Sequence, residues 1–382
     1  MKRMKFFVFL ILAFSYREAF SQVYPTFGTP QKISIAGLTF DAMEPFISPD
    51  GNTLFFNSLN SGGNTNLYYA LRVNDSLFTY VGIVNGTYDP SANHLDAVAS
   101  MDSLNNFFWI SLRDYPANYD NLHKGNYSTG TVSAISRVHG DFNIYVPGWL
   151  IMDGTINYNG NFLYYNNAYF NNCSFGMPCE ARIGIAQKVN DSTFNKLINT
   201  DALLSNVNDT NYIVYAPQIT KDGLELYFTR ILKTTVNSEI CVSVRSSVND
   251  TFSLPSVLYT NLYYIPEAAT LTTDKQKLYF HQKDSSGIFH IYLCYRTSST
   301  GLPELNSENQ KNIYPNPLSD NLHVQLTDPS SNFRIEVYTI QGELMYETKE
   351  KLIIDFSEFA NGVYFLSFTQ QNKTQFLKII KE

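Results

Sequence analysis

Charge is scarce in this 382-residue chain: Asp, Glu, Lys and Arg together make up 16%, and the formal net charge is −7. Lys and Arg are nowhere clustered, which excludes a nucleic-acid partner, since that requires a basic face. After the first residues, no apolar run approaches the roughly 20 needed to cross a bilayer, so no transmembrane helix is expected. The six His are scattered without ligand spacing, and no metal site is expected. A phosphate loop, a nucleotide fingerprint and a Gly-x-Ser-x-Gly elbow are all missing, so neither a cofactor nor a hydrolase nucleophile is indicated. Trp occurs only twice. Tyr and Phe are abundant instead, with 27 and 28 copies, and these side chains suit half-buried pleated strands. The composition points to an all-β chain.

Four Cys are present. Cys173 and Cys179 flank a tight loop containing Gly176 and Pro178. In an exported chain that spacing predicts a disulfide. A metal pair is the weaker reading, because no second Cys or His pair stands nearby. Cys241 and Cys294 lie in apolar strand patterns and read as buried free thiols.

Export itself is indicated by the first 21 residues. Lys2, Arg3 and Lys5 precede the apolar stretch Phe6 to Phe14, and the small residues Ala19 and Ser21 end the segment before Gln22. This is the layout of a cleavable signal peptide over 1–21.

A repeat fills the middle of the chain. Ser48-Pro49-Asp50-Gly51 followed by Leu54-Phe55-Phe56 returns as Thr220-Lys221-Asp222-Gly223 with Leu226-Tyr227-Phe228. Shorter copies are Asn159-Gly160 with Leu163-Tyr164-Tyr165 and Asp274-Lys275 with Leu278-Tyr279-Phe280. A degraded copy at Asp102 keeps Phe107-Phe108-Trp109. The spacing, roughly 50–60 residues, suits a four-stranded propeller blade. Asp-Gly or Asn-Gly between strand-like runs predicts a hairpin in which both turn residues take positive φ. A second turn, Asn74-Asp75-Ser76, recurs as Asn190-Asp191-Ser192 and Asn249-Asp250-Thr251, each followed by a Phe that opens an outermost strand. Five blades are expected, with six as the alternative. The last unit lacks a fourth strand, and residues 27–35 are expected to supply it and close the ring.

The Ser-Pro-Asp-Gly turn with its following Leu-Phe-Phe resembles the repeat of TolB-like propellers, also called WD40-like or PD40 repeats. The resemblance covers about residues 27–300 and implies the fold rather than one activity. That family includes assembly factors, binding modules and the caps of prolyl peptidases; the peptidase branch is excluded by the missing hydrolase domain.

Residues 303–311 are polar and read as a linker between a propeller over 22–302 and a C-terminal domain over 312–382. Alternating strands broken by Gln341-Gly342 and Asn361-Gly362 imply a small antiparallel sandwich. The opening Tyr314-Pro315-Asn316-Pro317, the mid-domain Gly342, Asn361-Gly362 with Tyr364, and the basic apolar tail with Lys378 and Lys381 resemble a type IX secretion sorting domain. The resemblance implies transient engagement of that secretion machinery, delivery across the outer membrane, and release or attachment at the cell surface.

Residues just ahead of each innermost strand would face the channel mouth, where propellers commonly take ligands. These are Glu44, His94, Asp96 and Glu267, with Trp149 as a stacking platform. Tyr- and Asn-rich loops, Tyr115 to Tyr127 and Asn157 to Asn172, suit a glycan or protein ligand. The favoured reading is a non-catalytic binding or scaffold module. The alternative is a polysaccharide-active glycoside hydrolase, which would need two of Glu44, Asp96 and Glu267 to converge.

Overall fold

The computed structural model describes residues 23–60, 64–88, 95–173, 177–235, 237–297, 313–325, 332–339, 342–370 and 373–382. The expected signal peptide, the 303–311 linker and His94 lie outside the described residues. Two compact units result, one ending at Thr297 and one beginning at Ser298. No helix among the described residues is long and apolar enough to cross a membrane.

The first unit begins with three short strands, β1 (Thr26–Phe27), β2 (Gln31–Lys32) and β3 (Ser34–Ala36). The first blade is β4 (Met43–Ile47), β5 (Thr53–Asn57), β6 (Leu67–Asn74) and β7 (Leu77–Ile83). The second is β8 (Asp96–Met101), β9 (Asn106–Ser111), β10 (Leu122–Ser128) and β11 (Thr131–Arg137). The third is β12 (Trp149–Ile156), β13 (Phe162–Tyr169), β14 (Glu180–Lys188) and β15 (Phe194–Lys196), followed by the one-turn helix α1 (Thr200–Leu203). The fourth is β16 (Tyr212–Ile219), β17 (Glu225–Leu232), β18 (Ser238–Val244) and β19 (Ser256–Thr260). The fifth is β20 (Glu267–Leu271), β21 (Lys277–Lys283) and β22 (Phe289–Thr297), completed by β1 and β2. The described residues thus form a five-bladed propeller.

The N-terminal segment divides its work between two blades. Phe27 pairs with Arg296 and Lys32 with Tyr292, which closes the fifth blade as expected. The continuation does not stay there: β3 adds to the outer edge of the first blade, parallel to β7, with Ser34 opposite Leu77. One stretch of chain therefore bridges the seam, and no blade edge is left open where first and last meet.

The repeat turns differ from expectation in one respect. Only one residue per hairpin takes the left-handed conformation: Gly51 (φ 75), Asn105 (φ 63), Gly160 (φ 74), Gly223 (φ 72) and Lys275 (φ 62). The residue before it supplies a side-chain acceptor instead. Asp50 Oδ1 takes the Asn52 N–H at 3.1 Å, and Asp222 Oδ1 takes the Leu224 N–H at 3.1 Å. Gly51 N–H donates to Ser48 O at 2.8 Å, so this is a longer loop built on an ordinary turn, not a two-residue primed turn. In the degraded copy Asp102 does the same work, accepting from the N–H groups of Leu104 and Asn106 at 2.8 and 2.9 Å.

The aromatic triplets explain why the blades hold together. Their side chains alternate across each sheet, and both faces are covered by neighbouring blades. Phe46 and Phe55 of the first blade pack with Phe107 and Trp109 of the second. Leu54 and Phe56 pack with Tyr279 and Leu293 of the fifth. Tyr227 of the fourth meets Leu278 and Phe280 of the fifth. Each such side chain contributes roughly 1.5–3 kcal/mol on burial, and the ring as a whole shares them. Cys241 and Cys294 are buried free thiols within these layers, and Cys173 is bonded to Cys179.

The second unit has strands β23 (Ile313–Tyr314), β24 (Asn321–Val324), β25 (Phe333–Thr339), β26 (Leu344–Thr348), β27 (Ile353–Asp355), β28 (Gly362–Gln370) and β29 (Lys373–Lys381). They form two sheets, ordered β23-β24-β27 and β26-β25-β28-β29. Leu322, Ile335, Val337, Ile354, Leu366 and Ile379 fill the space between them. Asn316 ties the opening motif to the tail strand: its Nδ2 donates to Lys378 O at 2.7 Å, and its Oδ1 accepts the Ile380 N–H at 2.9 Å. Tyr314 stacks on His323 with ring centroids 5.5 Å apart.

Candidate functional site

Each innermost strand carries an irregularity at the same height. The register slips between Met43 and Phe46, Ala97 and Ser100, Ile151 and Asp153, Tyr215 and Gln218, and Glu267 and Thr270. At four of these bulges a non-glycine residue is left-handed: Glu44 (φ 51), Val98 (φ 55), Ala216 (φ 49) and Ala268 (φ 54). Such a conformation is costly, most of all for the β-branched Val98, and it persists only where the surroundings enforce it. A bulge leaves one amide without a ladder partner and re-aims a side chain.

Side chains of the second strands and a carboxylate of the third blade satisfy those amides. His281 Nδ1 accepts the Glu44 N–H at 3.0 Å, and Asn57 Oδ1 accepts the Val98 N–H at 3.4 Å. Asn166 Oδ1 accepts the Asp153 N–H at 2.7 Å, Asp153 Oδ2 that of Ala216 at 3.2 Å, and Thr229 Oγ1 that of Ala268 at 3.0 Å. Four of these five bonds join one blade to the next. The ring around the channel is therefore stitched by side chains as well as by apolar packing.

The same bulges gather acidic groups. Glu44, Asp153 and Glu267 act on one another electrostatically. Glu44 Oε1 accepts from Asn60 Nδ2 at 3.0 Å, while Oε2 is shielded from water and has no hydrogen-bond partner among the described residues. Burial pushes the Glu44 carboxyl up to about 8, and the charges of Asp153 and Glu267 add to that. Burial likewise lifts Asp153 to about 7, with Glu267 adding and the Ala216 N–H opposing. Tyr215 donates its hydroxyl to Glu267 Oε1 at 2.6 Å, and burial, then Glu267, pushes that phenol well above its ordinary range. The His281 tautomer follows from its bonding. Because Nδ1 accepts from Glu44, the ring proton sits on Nε2, 3.4 Å from Glu267 Oε2. The space beside Glu44, Asp153, Thr155 and Gln218 is about 30 Å3.

Of the residues picked out from the sequence, Glu44 and Glu267 are brought together. Asp96 has a different part: fully buried, it pairs with Arg113 at 2.9 Å and accepts from Trp109 Nε1 at 3.3 Å, tying the second blade to its own loop. Trp149 is half-buried at the start of β12, against Tyr169 with centroids 5.2 Å apart. Near it in sequence, Tyr115, Tyr119 and Tyr145 form an aromatic chain with successive centroids 5.7 and 6.2 Å apart. Asp120 anchors this loop pair, accepting from Tyr145 Oη at 2.8 Å and Asn143 Nδ2 at 2.9 Å. Antiparallel order puts these loops on the face where the innermost strands begin.

Asp153, Tyr215 and His281 were missed from sequence. A signal existed: Asp153 stands four residues before Asn157, the offset of Glu44 before Ser48, and Tyr215 and Glu267 each stand five before the turn Thr at 220 and 272. Counting back from the turns would have found them.

Residues 312–382 match the family described as the secretion system C-terminal sorting domain. That tail directs the chain through type IX export to the cell surface or beyond. No curated protein matches the chain. Solved structures with a similar course include a family 117 glycoside hydrolase from Zobellia galactanivorans, at 11% identity and TM-score 0.47, covering 72% of this chain and 90% of that one. An endo-arabinase from Bacteroides thetaiotaomicron is 12% identical with TM-score 0.43, covering 70% and 98%. An α-L-arabinofuranosidase from Coprinopsis cinerea is 11% identical with TM-score 0.45, covering 72% and 98%.

Proposed function

We propose that this chain is an exported, non-catalytic binding propeller of the TolB-like, repeat-built kind, taken across the first membrane by a signal peptide and across the second by its sorting domain. The observation that carries this reading is the state of the channel. Asp153 and Glu267 are each bonded to a neighbouring blade, Glu44 to Asn60 of its own, and the space beside them is about 30 Å3, the size of one water. Ligand sites occupy roughly 300–1,000 Å3, so a sugar ring has no place beside these carboxylates. Aromatic side chains on the surrounding loops, with Tyr145 55% and Tyr263 81% exposed, suit a surface glycan or protein.

One observation favours the hydrolase instead. Glu44, held protonated to about pH 8 beside Asp153 and Glu267, has the character of a general acid. The two readings separate in one experiment on the mature chain with a polysaccharide panel, reading retained protein and released reducing sugar. Retention without release, weakened by Trp149→Ala or Tyr145→Ala, is the expected result. Sugar release that disappears in Glu44→Gln or Glu267→Gln would overturn the binding reading.

A further inference from the structure

The propeller's opposite face carries a larger cleft. Antiparallel order puts the hairpins joining first to second strands, and the turns joining third to fourth, on the face away from the acidic cluster. There a cleft of about 450 Å3 opens between three blades. Its walls are the β4–β5 hairpin with Ser48, Asp50 and Thr53, the β8–β9 hairpin with Met101, Ser103 and Asn105, the β10–β11 turn with Tyr127 to Thr129, and Tyr158 of the third blade.

The walls are fixed from within. Ser103 N–H donates to Tyr158 O at 2.9 Å, Tyr127 N–H donates to Asn105 O at 2.9 Å, and Ser48 Oγ accepts the Thr53 N–H at 2.9 Å. Lys221 Nζ lies over the Tyr158 ring, 4.3 Å from its centroid. By contrast, the Ser103 hydroxyl, the Asn105 side-chain amide and the Tyr158 hydroxyl make no hydrogen bond among the described residues. The cleft is thus held by its backbone and by bonds among Ser48, Asp50, Ser128 and Thr129, while Ser103, Asn105 and Tyr158 keep polar groups open to a ligand.

Its chemistry narrows the ligand. The lining is mostly hydroxyls, which both donate and accept as their rotors turn. Two tyrosines add apolar ring faces with polar tips. Among the lining side chains the only charge is Asp50, whose carboxylate already takes hydrogen bonds from Ser48 and Asn52. An anion would meet a carboxylate and no lining cation. A metal ion would find no group of ligands, since none is present among the described residues. A purely apolar ligand would meet only Met101 and Pro49 as apolar aliphatic walls. A molecule with many neutral hydroxyls and a C–H face satisfies all three constraints. We infer that this cleft binds a neutral sugar, as a site separate from the aromatic loops on the other face.

The test is titration of the full mature chain with neutral tetrasaccharides of the cello-, xylo-, arabino- and manno- series, and with tetragalacturonate as the charged probe. Ser103→Trp fills the cleft from an exposed turn position, and Tyr158→Ala removes a wall without filling it. Trp149→Ala reports on the loop face. At least about tenfold weaker binding of a neutral tetrasaccharide in both cleft variants, with Val257→Ala on the outer strand of the fourth blade unchanged, is expected. If Ser103→Trp unfolds the protein, Tyr158→Ala alone decides. Binding lost in Trp149→Ala but kept in the cleft variants would overturn the cleft and leave the loop-face reading standing. Binding of tetragalacturonate alone, or of no probe by the wild type, would also overturn it.

Discussion

Replacing Glu44 with Gln should change how the propeller's stability depends on pH. A carboxyl raised from 4.5 to about 8 keeps its proton in the folded chain over a range where the unfolded chain has lost it. Its contribution is intact below about pH 4.5 and is lost progressively as pH rises towards 8, so wild-type stability should fall across that window. At 1.36 kcal/mol per pH unit the gap corresponds to about 5 kcal/mol at full extent. Asp153, likewise raised by burial, and Glu267 lie in the same field, so part of this dependence belongs to the cluster and not to Glu44 alone. Gln is isosteric with the protonated acid, and its carbonyl can still accept from Asn60. Glu44→Gln should therefore match the wild type near pH 5 and exceed it by several kcal/mol at pH 9. Denaturant unfolding followed by Trp fluorescence measures this cleanly, since both tryptophans, Trp109 and Trp149, belong to the propeller and the sorting domain has none. Parallel stability curves for wild type and variant from pH 5 to pH 9 would refute the burial and charge coupling inferred for the channel.

Thr229→Val removes the acceptor for the Ala268 amide at nearly constant volume, and leaving that buried N–H unpaired should cost about 1–3 kcal/mol, read as a lower denaturation midpoint. Breaking the bond between Cys173 and Cys179, which lie six residues apart, by a double Ser substitution should cost about 2 kcal/mol and leave the far-UV spectrum unchanged, because the loop it closes is short. Deleting residues 312–382 should leave the propeller in the periplasm when cell fractions are assayed, and unchanged surface delivery would count against the sorting role.

Much of this protein could be read from its sequence. The recurring Asp-Gly turns followed by Leu-aromatic-aromatic give blade number and spacing, because a hairpin is set by adjacent residues and a two-residue alternation needs no distant partner. The Tyr-Pro-Asn-Pro opening and Asn-Gly-Val-Tyr likewise identify the export domain through short local segments. The site was legible only in part. Glu44 and Glu267 could be placed near the channel, but Asp96 has the same local pattern and is spent on Arg113 and Trp109.

Tertiary structure decided what local pattern does not encode. Whether a carboxylate meets other carboxylates, as Glu44 does, or an arginine of its own blade's loop, as Asp96 does, depends on how the folded strands and loops come together. Whether a bulge amide is satisfied depends on His281 or Thr229 arriving from a neighbouring blade. The split of the N-terminal segment between the fifth and first blades also follows from closure, since only a finished ring brings Phe289–Thr297 beside Leu77–Ile83. The sequence by itself determined the blades and the address; the closing of the ring determined which side chains share a low-dielectric space, and with it their protonation and the room left for a ligand.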